Sequence, residues 1–176
     1  KACKWLARRH IQMCITVCPG PGGCLGHPTA AGRCGPNMLG RYRHRVSGPL
    51  LDGVGLHVEV SPVSYDELRA HQGGEASDEI LKRILAARAF QARRCDGREI
   101  IPNAALSGQR LRQDCAVTDR AAAMLKSAFE KRGLSARGHD RVLRVARTIA
   151  DLDEAGIIDT PHIAEAVQYR NLDRKY

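Results

Sequence analysis

Apolar and polar positions change their spacing once along the chain, near residue 77. Upstream, IQMCITV (11–17) is a short apolar run rich in β-branched residues, and VGLHVEV (54–60) alternates. These patterns predict a buried strand and an alternating strand. Between them, CPGPGGCLGHPTAAGRCGP (18–36) holds six Gly and four Pro, which leaves no room for a regular element. From Ser77 onward the period is helical. SDEILKRILAARAFQARR (77–94) offers Ser77 as N-cap, acids in its first turn, and Ile80, Leu81, Ile84 and Leu85 as one face. TDRAAAMLKSAFEKRG (118–133) offers Thr118 as N-cap, Met124, Leu125 and Ala128 as its apolar face, and Gly133 as its stop. LSARGHDRVLRVARTIADL (134–152) turns Val142, Leu143, Ala146 and Ile149 inward, and TPHIAEAVQYR (160–170) has Thr160 as N-cap with Pro161 at N1. The order is strand, loop, strand, then about four helices. Two strands have no core of their own, so residues 1–60 read as the tail of a larger α/β domain that begins upstream.

Charge sharpens the division. Residues 1–60 carry eight Lys/Arg against two acids, a surplus of six, while 61–176 carry twenty against seventeen, a surplus of three. The net charge of +9 permits contact with a polyanion. One Trp, four Tyr and two Phe are too few for base stacking to be the main device. Seven cysteines, at 3, 14, 18, 24, 34, 95 and 115, are odd in number and irregular in spacing. They argue for a reducing compartment, the cytoplasm by default. No apolar run approaches a membrane span, and the basic start KACKWLARRH leads into a strand pattern without a signal-peptide cleavage site.

One helix start stands out. Arg137 opens the 134–152 helix, where the macrodipole already presents partial positive charge. A cation there is either tolerated by solvent or waits for an anion. Arg141, Arg144 and Arg147 follow at helical spacing and read as a solvated face beside the core stripe.

SGPLLDGVGLHVEV (47–60), VSYDEL (63–68), NAAL (103–106), LSARGHDRVLRVARTIADL and HIAEAVQYRNLDR (162–174) occur in that order. Together they closely resemble the C-terminal part of the ComM/YifB family of magnesium chelatase-like AAA+ ATPases, over residues 11–174. The resemblance implies an α/β fold in which residues 1–60 are the end of a P-loop-type core and 61–176 an α-helical lid. It implies ATP and Mg2+ as cofactors of the intact protein, self-assembly into a hexameric ring, and DNA as partner. The activity implied is an ATP-dependent DNA helicase promoting branch migration in natural transformation. The chelatase cousins insert magnesium into protoporphyrin, but VSYDEL and HIAEAVQYR fit ComM/YifB better. By position, Arg137 matches the sensor-2 arginine that contacts the γ-phosphate.

The sequence departs from the family pattern in three places. Cys18 stands where the family has the sensor-1 Asn, with Gly20 and Gly22 in place of two following cysteines. Only Cys34 remains of a downstream Cys-x-Cys pair; Cys24, His27 and Cys34 have zinc-like spacing, yet the lost pairs favour free thiols in a loop. Gly53 replaces the arginine expected at the finger position, removing a charge that acts on a neighbouring subunit's ATP. No G-x-x-x-x-G-K-[ST] occurs, so hydrolysis by this polypeptide alone is not expected. The competing reading is a non-enzymatic module, a degenerate paralogue binding DNA or an AAA+ partner. Its basic N-terminal third would act through Arg41, Arg43 and Arg45, which in the family reading serve the ring interface instead.

Overall fold

Helix signals and a shared apolar core account for nearly all of the described structure. The computed structural model describes residues 74–170 together with 54–58, 60, 65 and 69. The chain divides into two compact units, Lys1–Arg45 and Val46–Tyr176, and every described residue lies in the second.

Within residues 74–170 five α-helices follow one another: α1 (Ser77–Arg94), α2 (Gly108–Asp114), α3 (Asp119–Arg132), α4 (Ala136–Leu152) and α5 (Thr160–Gln168). A 3-10 turn at Asn103–Ala105 joins α1 to α2. α3 begins where Thr118 accepts a hydrogen bond from the Ala121 N–H at 3.2 Å, and it ends where Gly133 adopts φ 60°. That left-handed conformation is one glycine reaches without a Cβ penalty. α4 begins in the same way, Ser135 Oγ accepting from the Gly138 N–H at 3.0 Å. α5 starts one residue earlier than its sequence suggests. Asp159, not Thr160, is the N-cap, and its N–H donates to His162 Nδ1 at 2.9 Å. α1 likewise has Ala76 as N-cap, with Ser77 already helical and no side chain capping the end.

α4 is the central element; α5, α1, α2 and the 3-10 turn all pack against it, and α3 packs on α5. Val142 and Ala146 are wholly buried, Ile149 nearly so, and Leu143 packs at the edge of the same cluster. They meet Leu106, Leu111, Ala121, Leu125, Ile158, Ile163 and Ala166 in one contiguous core. Burying an Ile such as Ile163 contributes about 2–3 kcal/mol. The starts of α3 and α5 are tied edge to edge. Thr118 N–H donates to the Ile158 carbonyl at 3.0 Å and Ile158 N–H to the Ala116 carbonyl at 2.9 Å, around a parallel bridge between Val117 and Ile158.

Two expectations are corrected here. The described part of the expected 54–60 strand, residues 54–58, forms no strand; its backbone is tied to the bundle by a bond from His57 N–H to the Tyr169 carbonyl at 2.8 Å. The expected strand at 11–17 lies outside the described residues, so the described fold is helical and the α/β core is not seen in it. The face Ile80–Leu81–Ile84–Leu85 of α1 is not core: these residues are 39–56% exposed. α1 docks on the bundle only through its last turns, where Gln91 and Arg94 reach the 3-10 turn.

Candidate functional site

The arginines of α4 separate into two groups by what they touch. Arg147 is wholly buried, donating to Asp151 Oδ1 at 3.1 Å, to the Gly156 carbonyl at 3.0 Å and to the Ala155 carbonyl. Arg144, half-buried, donates to the Leu106 carbonyl at 2.7 Å, and Arg141 to the Val54 carbonyl at 3.4 Å. The expected solvated face of Arg141, Arg144 and Arg147 is therefore wrong. Their long side chains cross to neighbouring segments and donate to carbonyls outside the α-helices, at Val54, Leu106, Ala155 and Gly156. Burial pulls the Arg147 guanidinium below its ordinary pKa, against the opposing pull of Asp151.

Arg137 differs from all three. It is the second residue of α4 and is exposed, and among the described residues nothing pairs with it. Ser135 occupies the Gly138 N–H, while the first N–H groups of the helix have no intrahelical acceptor. Gly138 is buried against Leu134 and Ser135, which brings the backbone of this turn close to the preceding loop. His139, on the next residue, contacts Phe129 edge-on with ring centroids 6.2 Å apart and lies 3.3 Å from Asp140. An exposed guanidinium beside free N–H donors at a helix start suits an anion with several acceptor oxygens, such as a phosphate.

At the other end of α4 a buried polar cluster joins α1, the 3-10 turn and α4, with Asp114 of α2 at its edge. Asn103, the first residue of NAAL, donates to Asp151 Oδ2 at 2.7 Å and to Thr148 Oγ1 at 3.2 Å. Its carbonyl oxygen accepts from Gln91 at 3.0 Å and Arg94 at 3.3 Å. Arg94 also donates to Asp151 at 3.1 Å, and Asp114 lies 3.1 Å from Arg98 and 3.3 Å from Arg110. The NAAL segment has no role that its sequence alone declares; in the fold Asn103 is the hub of this cluster and Leu106 a core residue. The signals were present in the i,i+4 pair Arg147–Asp151 and in an Asn directly after Pro102.

Cys95 and Cys115 are buried free thiols. Burial pushes the Cys115 thiol up to about 11, opposed by Arg147 and Arg94. A thiol raised in this way, as at Cys115, is not an activated nucleophile. The remaining sequence candidates, Arg41, Arg43, Arg45, Cys18, Cys24, His27, Cys34 and Gly53, lie outside the described residues. Among the described residues no three His, Cys, Asp or Glu side chains gather where they could hold a metal. No described helix is long and apolar enough to cross a membrane.

Residues 74–170, the span of the helical bundle, match the family described as magnesium chelatase, subunit ChlI C-terminal. Residues 3–68 match magnesium chelatase, subunit ChlI. Competence protein ComM of Haemophilus influenzae is 36% identical over 166 residues, 93% of this chain and 31% of its own length. YifB of Escherichia coli K12 is 38% identical over 143 residues, 81% of this chain and 28% of its own length. The chain belongs to the ComM/YifB family of magnesium chelatase-like AAA+ proteins. It corresponds to the C-terminal portion of that family. An uncharacterized protein of Mycobacterium bovis is 30% identical over 168 residues, 93% of this chain and 32% of its own length. The chain spans about a third of the length of these relatives, 28–32%. Within the ComM/YifB family the helical bundle is the lid-like C-terminal region; α4 is its central helix, and Arg137 is exposed at the start of that helix.

Proposed function

We propose that this chain is the C-terminal part of a ring-forming, ATP-driven AAA+ protein of the ComM/YifB kind, in which Arg137 reads the γ-phosphate of bound ATP. The observation that carries the reading is the contrast within α4. Arg141, Arg144 and Arg147 are engaged by protein carbonyls or carboxylates, whereas Arg137 is exposed at the helix start without a partner among the described residues. Keeping a cation there costs a few tenths to about 1 kcal/mol against the dipole unless an anion offsets it. Bound ATP supplies phosphoanhydride chemistry and a γ-phosphate whose loss can be sensed. Arg137 would clamp that phosphate bidentately, with the first N–H groups of α4 as further donors. The rigid α4 packing, centred on Val142 and Ala146, would turn this contact into movement of the whole lid.

In this reading the intact protein uses Mg2+ with ATP, assembles with itself as a hexamer, and acts on DNA as a helicase driving branch migration. Arg41, Arg43 and Arg45 are the residues we assign to the DNA or to the subunit interface. With Cys18 and Gly53 at the sensor-1 and finger positions, hydrolysis is expected to be slow even in the full-length protein. The test is nucleotide-dependent assembly followed by sedimentation velocity on the full-length protein. A non-hydrolysable ATP analogue should drive wild type into a larger species and leave Arg137→Ala largely unassembled at equal folded content. Assembly of the variant at wild-type nucleotide concentration would refute the role of Arg137.

A further inference from the structure

The Val54 carbonyl accepts from two arginines, one on α4 and one just past the end of α5. Arg141 on α4 reaches it at 3.4 Å, and Arg170, just beyond α5, reaches it at 2.6 Å. Three residues on, His57 N–H donates to the carbonyl of Tyr169, the residue before Arg170. Arg170 is 1% exposed and His57 8% exposed. Arg170 and His57 are thus shielded from water, while Val54 and Arg141 are half-buried, and a charge-assisted hydrogen bond in such surroundings is stronger than one at the open surface. This is a costly arrangement for a mere surface strap. Burying a guanidinium is costly unless its donors find acceptors.

We infer that Arg141 and Arg170 are positioning residues that clamp segment 54–58 to the lid and transmit to it the state of the phosphate-sensing helix. The inference rests on the reading of Arg137 given above. Arg141 follows Arg137 by four residues, so the two side chains leave the same face of α4 about 6 Å apart along its axis. A displacement of the start of α4 carries Arg141 with it. Arg170 holds the same carbonyl from the end of α5, so relative sliding of α4 and α5 is registered at one oxygen atom. Val54 directly follows Gly53 in the chain, the position where relatives of this family are expected to carry their finger arginine. The clamp thus links the cis-acting sensor helix to the segment that follows the trans-acting position.

The His57 amide is a direct reporter, because its N–H is hydrogen-bonded only while segment 54–58 is held against Tyr169. The experiment is hydrogen–deuterium exchange at that amide in the full-length protein, with and without a non-hydrolysable ATP analogue, for wild type, Arg141→Ala and Arg141→Lys. Arg141 is chosen over Arg170 because it is only half-buried and its loss spares the core. In wild type the analogue should change exchange at His57 by about tenfold, the scale set by one charge-assisted hydrogen bond. Arg141→Ala should bind the analogue as wild type does while its His57 amide no longer responds, and Arg141→Lys should restore part of the response. An Arg141→Ala protein whose His57 amide responds fully overturns the clamp and leaves the sensing role of Arg137 standing. If wild type binds no nucleotide, the sensing reading fails and transmission fails with it. The clamp itself is then judged by nucleotide-free exchange. Faster exchange at His57 in Arg141→Ala, against unchanged exchange at Leu125 in the core, supports it, and equal exchange refutes it.

Discussion

Replacing Asp151 with Ala removes the carboxylate on which the polar cluster of the bundle converges. Asp151 is 3% exposed and accepts from Asn103 at 2.7 Å, Arg94 at 3.1 Å and Arg147 at 3.1 Å. The substitution leaves Arg147, with no exposed surface, as a buried cation held by the Ala155 and Gly156 carbonyls. Breaking a buried pair by removing one partner costs about 3–5 kcal/mol. Arg94 keeps Asp114 within 3.8 Å, which places the expected loss toward the lower end of that range. For a domain of this size each kcal/mol shifts the melting temperature by roughly 4–8 °C, so a loss of about 3 kcal/mol corresponds to roughly 12–24 °C. Differential scanning calorimetry of wild type and Asp151→Ala reads this directly. A companion protein with Arg147→Met and Asp151→Leu together should lose less than the single Asp151→Ala, because no charge is left stranded. A shift of under about 2 °C in Asp151→Ala would refute the claim that the cluster holds α1, the 3-10 turn and α4 together.

Three further outcomes follow from the same geometry. Ala146→Asp places an unpaired charge at a wholly buried position and should cost more than about 3 kcal/mol by urea denaturation; an unchanged midpoint would show the core face to be misplaced. Thr118→Val removes the α3 cap and the 2.6 Å bond from Thr118 Oγ1 to Asp159, and loss of the cap should cost about 1–2 kcal/mol. Asp159 is held below the usual carboxylate range by that hydroxyl, so its contribution is present above the ordinary Asp pKa and is lost as pH falls through the lowered one. A pH series of melting temperatures should accordingly show a shallower acid-side decline in Thr118→Val than in wild type. Cys115, raised to about 11, stays a neutral thiol at pH 8, and with Cys95 it should resist thiol reagents until the protein unfolds. Mass spectrometric mapping that finds either residue modified in the native protein would contradict their burial.

Local signals are legible where a single residue decides the backbone. Thr118 and Gly133 bound α3, one by a side-chain oxygen that accepts and the other by the positive φ that the lack of a Cβ allows. The stripe Val142–Ala146–Ile149 is legible because apolar spacing alone places it inward. The same spacing misleads in α1, where Ile80, Leu81, Ile84 and Leu85 are as periodic as any core face and yet exposed. Periodicity identifies a helix but not its neighbour. α2 has no such signal, because seven residues with Leu111 as their apolar anchor, followed by Cys115 just past the end, are too short to hold by propensity. Arg147 is misleading for the opposite reason. Its partners Ala155 and Gly156 are backbone carbonyls, which no side-chain pattern advertises. Asp159 rather than Thr160 caps α5, and it also accepts from Thr118, far away in sequence, a contact that local pattern does not advertise.

The most direct measurement is the affinity of the full-length protein for a non-hydrolysable ATP analogue and for ADP, by isothermal titration calorimetry, in wild type and Arg137→Ala. Removing a bidentate, charge-assisted clamp on the γ-phosphate is expected to weaken analogue binding by about tenfold to a hundredfold, and ADP binding by much less. Equal weakening for both nucleotides, or for neither, would contradict the role of Arg137 as the residue that reads the γ-phosphate.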